Sequence, residues 1–277
     1  MNDWKKLLNV PTIRYIDQRH ENRYNPAASF ATDDALAIAV GNGDSPVAAR
    51  LWIHDDTLIL GIPDAKLPNL KNGVDWLKSQ GYQAVVRNSG GLAVALDKGV
   101  LNLSFIFPDA RNIGIHEGYQ AMAGFIQFLF QDLTRDIKAF EVKGSYCPGE
   151  YDLSIGGKKF AGISQRRVKN GSAVQIYLCV EGDGVERAAL VRDFYSISKK
   201  GEETRFEYPD VIPETMASLC QLLKVDLTVE DVTKRILHAL KELSDDIITD
   251  KLDKQETDWY EKRLEQMIDR NEKALKF

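Results

Sequence analysis

The chain has 277 residues, of which 44% are hydrophobic and 28% charged, a composition typical of a soluble globular protein with a sizeable core. A formal net charge of −5 and a pI of about 5.5 argue against a nucleic-acid binder. No apolar run approaches the roughly 20 residues of a membrane span, and three cysteines, an odd number, indicate free thiols in a reducing compartment. We therefore predict a cytoplasmic protein that binds neither membranes nor nucleic acid.

The first 28 residues are polar and mixed in composition. We predict that they form an N-terminal arm (1–28) that packs on the main domain without supplying a core element. A helix is expected over 29–40, because a serine or threonine can cap its start and a Gly-Asn-Gly run ends it. Asp33 and Asp34 would then lie in its first turn, where the helix dipole favours carboxylates.

Short segments with the composition of strands follow. The segments 48–54 and 57–61 are predicted to form a hairpin around Asp55-Asp56. Because side chains alternate along a strand, Asn102 and Ser104 should share one face of 100–107, opposite a row of four apolar residues. Further strands are expected over 82–87, 92–97 and 173–180, and helices over 67–81, 116–133 and 184–195.

From Pro213 onward the pattern of the chain predicts amphipathic, highly charged helices. The regular strand–helix alternation of a doubly wound fold is absent, and the strands come in hairpin-like pairs. We therefore predict an α+β fold, with a mixed, largely antiparallel sheet flanked by helices. The predicted layout is the arm, a catalytic domain over 29–212 and a helical C-terminal extension over 213–277.

Cys147 is the cysteine with the strongest claim to chemistry, because it lies in a turn-forming run of Gly, Ser, Pro and Glu. The segments 152–155 and 159–163 should pair as a hairpin, which could bring a lysine close to this thiol. Lys158 and Lys159 point to opposite faces of the strand, so one of them can reach inward. A nearby ammonium favours the reactive thiolate. An idle loop thiol and a solvated lysine remain the alternatives.

A second polar stretch, Arg87 to Gly91, can line a cleft with this thiol. Its Gly-Gly step would let the backbone approach a ligand closely, although a simple hairpin turn explains it equally well. It is neither a phosphate-binding Walker loop nor a dinucleotide fingerprint. The four histidines show no zinc-site spacing, so no metal and no cofactor are expected. The candidate cleft residues are Arg87, Ser89, Gly90, Gly91, Asn102 and Ser104.

Two segments in the right order resemble the lipoate–protein ligase/biotin ligase superfamily. The run RNSGGLAVALDKGVLNLSFIF (87–107) resembles its Arg-x-Ser-Gly-Gly segment and the Asn-x-Ser that follows, and GGKKFAGISQRR (156–167) resembles its lysine segment. The resemblance covers about residues 30–200 and implies the catalytic-domain fold of class II synthetases and biotin–lipoate ligases. It places the family lysine at Lys159.

Within the superfamily, the stretch 144–167 resembles octanoyltransferases that take octanoyl groups from the octanoylated glycine-cleavage H protein. Those enzymes pass the group to lysines of the lipoyl domains of 2-oxoacid dehydrogenase E2 subunits, in protein lipoylation. The resemblance implies that Cys147 forms an acyl thioester and that Lys159 lowers the thiol's pKa and polarises the acyl carbonyl. It also implies that the candidate cleft residues line the acyl tunnel.

Three alternatives stay open at this point. The same thioester chemistry could use an octanoyl acyl-carrier-protein donor, the chain could be an ATP-dependent lipoate ligase with an incidental Cys147, or it could bind lipoyl domains without catalysis. Adenylate formation is in doubt, because the ligases' Gly-Arg-Gln strand end is replaced here by Gly61-Ile62-Pro63-Asp64. A basic cluster of Lys158, Arg166, Arg167 and Lys169 would suit acidic acceptor domains.

Overall fold

The computed structural model describes residues 4–21 and 25–276. Its helices are α1 (Pro26–Asn42), α2 (Leu70–Ser79), α3 (Ile115–Leu129), α4 (Gly184–Lys199), α5 (Leu219–Leu223), α6 (Val229–Leu243) and α7 (Lys254–Leu275). Its strands are β1 (Val10–Gln18), β2 (Ala48–Trp52), β3 (Thr57–Leu60), β4 (Gln83–Val86), β5 (Val94–Leu96), β6 (Val100–Phe107), β7 (Lys138–Ala139), β8 (Leu153–Ile155), β9 (Lys158–Val168), β10 (Gly171–Cys179) and β11 (Ser244–Ile248).

In the described part of the chain, eight strands form one sheet in the order β11-β1-β2-β6-β10-β9-β8-β7. β1 pairs in parallel with both β11 and β2, and the other neighbours are antiparallel. The predicted α+β fold with a mixed, largely antiparallel sheet is therefore confirmed. None of the described helices is both long and apolar enough to cross a bilayer.

The central strands β2, β6 and β10 of the large sheet are buried on both faces. The apolar row of β6 packs with α3 and α6, as the alternation predicted, and includes Leu103 and Phe105, both fully buried. The opposite face carries Asn102 and Ser104 and is covered by α1 and by a second, smaller sheet. This second face borders the cavity that Asn102 and Cys147 line.

The smaller sheet has β3 at its centre, parallel to β4 and antiparallel to β5. The predicted hairpin of 48–54 with 57–61 is therefore wrong, because β2 pairs within the large sheet and β3 within the small one. Every residue of both strands is buried. Strands buried on both faces show no alternation, so sequence alone cannot assign their partners.

The first helix begins three residues earlier than the predicted position 29. α1 begins at Pro26, so Asp33 and Asp34 lie in its middle rather than in its first turn. Both carboxylates are buried and are paired with arginines: Arg50 Nη1 lies 2.8 Å from Asp33 Oδ1, and Arg166 Nε lies 2.7 Å from Asp34 Oδ1. Their role is charge pairing inside the protein, not stabilisation of a helix end.

The two ends of the chain meet in the sheet. β1 lies between β11 and β2, so the prediction that residues 1–28 lack a core element is wrong for Val10–Gln18. β11, which the sequence did not reveal, joins the sheet from the C-terminal region. Arg14 Nη2 donates to Glu256 Oε2 of α7 at 2.9 Å. The domain boundaries at 28 and 212 stay predictions, and residues 22–24 of the predicted arm lie outside the described residues.

Candidate active site

The predicted hairpin that carries the lysine pair is present. Ile155 of β8 pairs with Lys158 of β9, and Gly156 and Gly157 turn between them with φ of 59° and 79°, values that suit glycine. Lys158 is exposed and Lys159 is fully buried. The alternation along β9 therefore directs Lys159 inward, beneath the loop that contains Cys147.

Lys159 is held by a ring of acceptors. Its Nζ lies 2.8 Å from Asp152 Oδ1 and donates to the carbonyl oxygens of Tyr146 at 2.9 Å and Cys147 at 2.8 Å. Ser145 Oγ lies slightly farther away, at 3.3 Å. Burial raises the pKa of Asp152, and the opposing field of Lys159 only partly offsets it. The ammonium is thus committed to a buried ion pair and to the backbone of the cysteine loop.

The Cys147 thiol has a different set of neighbours. Its Sγ accepts the backbone N–H of Leu92 at 3.1 Å and lies 3.5 Å from Arg87 Nη2. The residue has a φ of 44°, in the left-handed region that non-glycine residues rarely adopt. Such backbone strain collects at functional sites, where the surrounding contacts hold it in place. Here the two bonds from Lys159 to the loop carbonyls supply that restraint.

Arg87 is a buried cation that forms no ion pair with a carboxylate in the part of the chain that the structure describes. It is 7% exposed, its Nη2 donates to Leu92 O at 2.8 Å, and its Nε has no hydrogen-bond partner among the described residues. Gly91 allows this approach: it has a φ of 96°, and a Cβ there would lie 2.3 Å from Arg87 Nη2 and 2.9 Å from Cys147 Sγ. Any side chain at position 91 would separate the guanidinium from the thiol.

A buried acid supports the loop that donates to the thiol. Asp64 accepts the N–H of Gly61 at 2.7 Å and the hydroxyl of Tyr195 at 2.9 Å, and Tyr195 Oη in turn accepts the N–H of Ala93 at 3.1 Å. Burial raises the pKa of Asp64 to about 6. The Gly61–Asp64 segment thus serves as a structural support for residues 91–93.

A cavity of about 240 Å³ opens beside the thiol, between the second face of the large sheet and the small sheet. Its apolar wall comes from α1, β2, β3 and β5. Polar groups converge on the other side, including Asn102, Tyr119 and Gln175. The apolar lining residues include Phe30, Trp52, Ile59, Val94, Leu96 and Ile176. The shape and lining suit a linear apolar chain with one reactive polar end.

The structure divides the predicted site residues into two groups. Those that line the cavity are Cys147, Arg87, Gly90, Gly91 and Asn102. Those that do not line it are Lys159, Ser89 and Ser104. Ser89 Oγ is buried without a partner among the described residues, and Ser104 Oγ donates to Asp33 at 2.6 Å.

Ser104 belongs to a polar network beneath the cavity. Asp33 also accepts from Gln175 Nε2 at 2.7 Å and pairs with Arg50, while Trp52 Nε1 donates to Ser104 Oγ at 3.0 Å. Because every one of these groups is buried, their mutual bonds fix the rotamers of Trp52 and Gln175 that line the cavity. Ser104 therefore shapes the cavity without touching its contents.

Two members of the predicted basic cluster bond to other parts of the protein. Arg166 pairs with Asp34 and donates to Asn88 O at 3.0 Å, and Arg167 donates to the carbonyl oxygens of Ala110 and Ile113, each at 2.7 Å. These bonds anchor loops, and the prediction that the cluster suits acidic acceptor domains stays a prediction.

Sequence reasoning missed Asp152 and Tyr119. Asp152 could have been found, because the hairpin register sets Ser154 opposite Lys159 and a buried ammonium requires an anion nearby. Tyr119 has the helical spacing of the apolar residues of α3, yet it lines the cavity, and its ring is tilted against that of Tyr151 with ring centroids 5.0 Å apart. No feature of the local sequence distinguishes it from a core tyrosine.

Comparison with known proteins supports the resemblance. Residues 25–241 match the family model of the lipoyl protein ligase A/B catalytic domain. The octanoyl-[GcvH]:protein N-octanoyltransferase of Oceanobacillus iheyensis is 54% identical, over 98% of this chain and 99% of its own. The lipoyl-[GcvH]:protein N-lipoyltransferase of Listeria monocytogenes is 47% identical, over 99% and 100%.

Solved structures agree on the fold. A structure of the bi-partite lipoate protein ligase and its E2 lipoyl domain from Thermoplasma acidophilum aligns with a TM-score of 0.68 at 20% identity, over 92% of each chain. At that identity the likeness concerns the fold alone. Taken with the match over residues 25–241, it shows that this chain belongs to the lipoyl protein ligase A/B catalytic domain family.

Proposed function

We propose that this protein is an octanoyltransferase that moves an octanoyl group from the octanoylated glycine-cleavage H protein to lysines of lipoyl domains of E2 subunits, through a thioester on Cys147. The observation that carries the proposal is the thiol at the wall of an apolar cavity, in contact with one guanidinium and one backbone N–H. The names of full-length relatives supply the donor protein and the acyl group.

The first step exchanges an amide for a thioester. Cys147 Sγ bonds to the octanoyl carbonyl carbon, the bond from that carbon to the donor lysine nitrogen breaks, and the thiol proton ends on the departing amine. In the second step an acceptor lysine amine attacks the thioester, the carbon–sulfur bond breaks and the proton returns to sulfur. Since an amide replaces an amide, no ATP is consumed.

The two cations have different proposed roles. Arg87 lines the cavity with its Nη2 3.5 Å from Cys147 Sγ, and its guanidinium provides a donor for the oxyanion that forms during each step. Lys159, paired with Asp152, holds the carbonyl groups of Tyr146 and Cys147 and so keeps the strained loop in place. The prediction that Lys159 itself polarises the acyl carbonyl stays a prediction, and these three contacts favour the positioning role.

The cavity supplies the affinity for the acyl chain. Each methylene transferred from water to an apolar wall contributes about 0.8 kcal/mol. The apolar wall formed by Phe30, Trp52 and Leu96 offers this environment on the same side of the sheet as the thiol. Binding energy from the chain can then hold the carbonyl carbon near Sγ.

Lipoyl transfer is the second candidate, and one observation favours it. The Listeria relative, at 47% identity over 99% of this chain, is named a lipoyltransferase with the same donor protein. A lipoyl group has the same length of carbon chain and differs at its far end, which would lie away from Cys147. The thioester step is identical for both acyl groups.

A donor competition tests the proposal. The protein is incubated with an E2 lipoyl domain and one of four donors: octanoylated H protein, lipoylated H protein, octanoyl acyl carrier protein, or octanoate with ATP. Intact mass of the lipoyl domain is recorded over time. We expect octanoylated H protein to modify the lipoyl domain fastest, with no requirement for ATP.

Three results would contradict the proposal. Modification of the lipoyl domain only with octanoate and ATP would indicate an adenylating ligase, and modification only with acyl carrier protein would indicate the other octanoyltransferase class. Failure with all four donors would leave a non-catalytic binder of lipoyl domains. Cys220→Ser is the matched control for Cys147→Ser and should keep full transfer, because Cys220 lies in α5 and does not line the cavity.

A further inference from the structure

The C-terminal helix reaches the back of the site. α7 packs along α1, and its Met267 is 2% exposed within the core cluster that also contains Val86 and Leu96. The matched family domain ends at residue 241, so this helix lies beyond it. The contacts of α7 with the small sheet can affect the site, because β4 of that sheet leads directly into Arg87.

Asn271 of α7 binds the backbone of β4 from its free side. β4 is the edge strand of the small sheet, and Val86 is its last residue. The N–H of Val86 donates to Asn271 Oδ1 at 2.7 Å, and Asn271 Nδ2 donates to Val86 O at 3.1 Å. Asn271 Nδ2 also donates to Met267 O at 2.9 Å, which fixes the orientation of the amide. The side chain thus pairs with β4 as a neighbouring strand would.

The paired residue immediately precedes Arg87. On its other side β4 is bound to β3, and the N–H of Arg87 continues that ladder by donating to Leu60 O at 2.9 Å. The backbone is thus held on one side at Val86, by Asn271, and on the other side at Arg87, by Leu60. The guanidinium of Arg87 then reaches Leu92 O at 2.8 Å and Cys147 Sγ at 3.5 Å.

The same helix also touches the residue that follows Arg87 through a charge network. Arg263 Nε lies 3.9 Å from Asp34 Oδ2. Asp34 accepts from Asn88 Nδ2 at 3.2 Å and is paired with Arg166, which holds Asn88 O. α7 therefore contacts both sides of Arg87: directly at Val86, and through Asp34 at Asn88.

We infer that Asn271 is a positioning residue that sets the distance between the Arg87 guanidinium and the Cys147 thiol, so that the C-terminal helix is part of the active-site architecture. This inference rests on the proposed function only for the role of Cys147 as nucleophile. The position of the guanidinium matters because a misplacement of about 1 Å can lower a rate on the order of a hundredfold.

The test compares Asn271→Ala with Asn271→Asp and with the control Asp269→Ala, an exposed residue of the same helix. Two rates are measured in the full-length protein: iodoacetamide alkylation of Cys147 at pH 7, and acylation by octanoylated H protein. For Asn271→Ala we expect both rates to fall on the order of tenfold, with KM for the donor unchanged. Asn271→Asp, which can accept from Val86 but not donate to it, should be intermediate.

A double-mutant cycle separates positioning from a general loss of structure. If Asn271 acts through Arg87, then Asn271→Ala should have no further effect on the alkylation rate in an Arg87→Met background. A further tenfold loss in that background, or wild-type rates in Asn271→Ala, would overturn the inference. Alkylation needs no acyl donor, so an error in the proposed donor would leave its result intact and appear only in the acylation rate.

Discussion

Two buried cations flank the Cys147 loop, and their surroundings differ. Lys159 lies beneath the loop, fully buried, with Asp152 and two loop carbonyls as partners. Arg87 lines the cavity and is 7% exposed. Its guanidinium contacts the carbonyl oxygen of Leu92 and the thiol sulfur, and it forms no ion pair with a carboxylate of the described residues. A cation neutralised by its own carboxylate holds structure, whereas a cation without one can respond to charge that develops on a substrate.

The different surroundings of the two cations contradict what the spacing of Cys147 and Lys159 suggests. A cysteine and a lysine twelve residues apart suggest direct contact of the two side chains. The structure instead sets the lysine against the backbone of the cysteine and sets an arginine from 60 residues earlier against the sulfur. We propose that the two cations serve the site through different bonds, so substitutions should separate their effects.

The largest effect should come from breaking the buried ion pair. Lys159→Met leaves Asp152 buried and unpaired, and we expect the free energy of unfolding to fall by about 3–5 kcal/mol. Urea denaturation at pH 7 measures this. The double variant Lys159→Met/Asp152→Leu removes both charges and should recover most of the loss. A single variant as stable as the wild type would show that the pair does not stabilise the loop.

Replacing the second cation should affect chemistry more than stability. Arg87→Met is expected to lower the rate of acyl transfer on the order of 10²–10³-fold, the effect of losing one oxyanion donor. The free energy of unfolding should change far less than in Lys159→Met, because no carboxylate loses its partner. Arg192→Met, at an arginine whose side chain is 49% exposed, is the matched control. Wild-type transfer by Arg87→Met would refute the assignment.

A smaller effect concerns the support beneath the loop. Burial raises the pKa of Asp64 to about 6 from an ordinary 3.8, so the folded protein retains this proton at pH values where the unfolded chain has lost it. Stability contributed by the protonated form is therefore fully present below about pH 4 and is lost as the pH rises through about 6, a change on the order of 3 kcal/mol.

Asp64→Asn should remove that dependence. We expect the free energy of unfolding of the wild type to fall between pH 4 and pH 7 by more than that of Asp64→Asn, measured by urea denaturation at both pH values. Asparagine keeps an acceptor for Gly61 or Tyr195 and cannot ionise. The same pH dependence in both proteins would mean that Asp64 does not titrate in this window.

Local patterns predicted much of this fold. The Gly156-Gly157 hairpin, the inward direction of one lysine of the Lys158-Lys159 pair and the two faces of β6 all follow from alternation and turn chemistry, which act over a few residues. The assignment of β2 and β3 to different sheets could not be predicted, because both are buried throughout and give no face preference.

The contacts that define the site are mostly long-range. Cys147 meets Arg87 and Leu92 only because β8, β9 and the small sheet come together, and Val86 meets Asn271 across 185 residues. The family resemblance identified Cys147, Arg87 and Lys159 as site residues but not which of them touch. That information lies in the sheet topology, not in spacing along the chain.

The central claim is that Cys147 carries the acyl group. The most direct measurement is acid-quenched peptide mass spectrometry after incubation with octanoylated H protein and no acceptor. The account predicts one octanoyl group on the peptide that contains Cys147, removed by hydroxylamine and absent from Cys147→Ser, which should also lose transfer. Full transfer by Cys147→Ser, or an octanoyl group on a different residue, would contradict it.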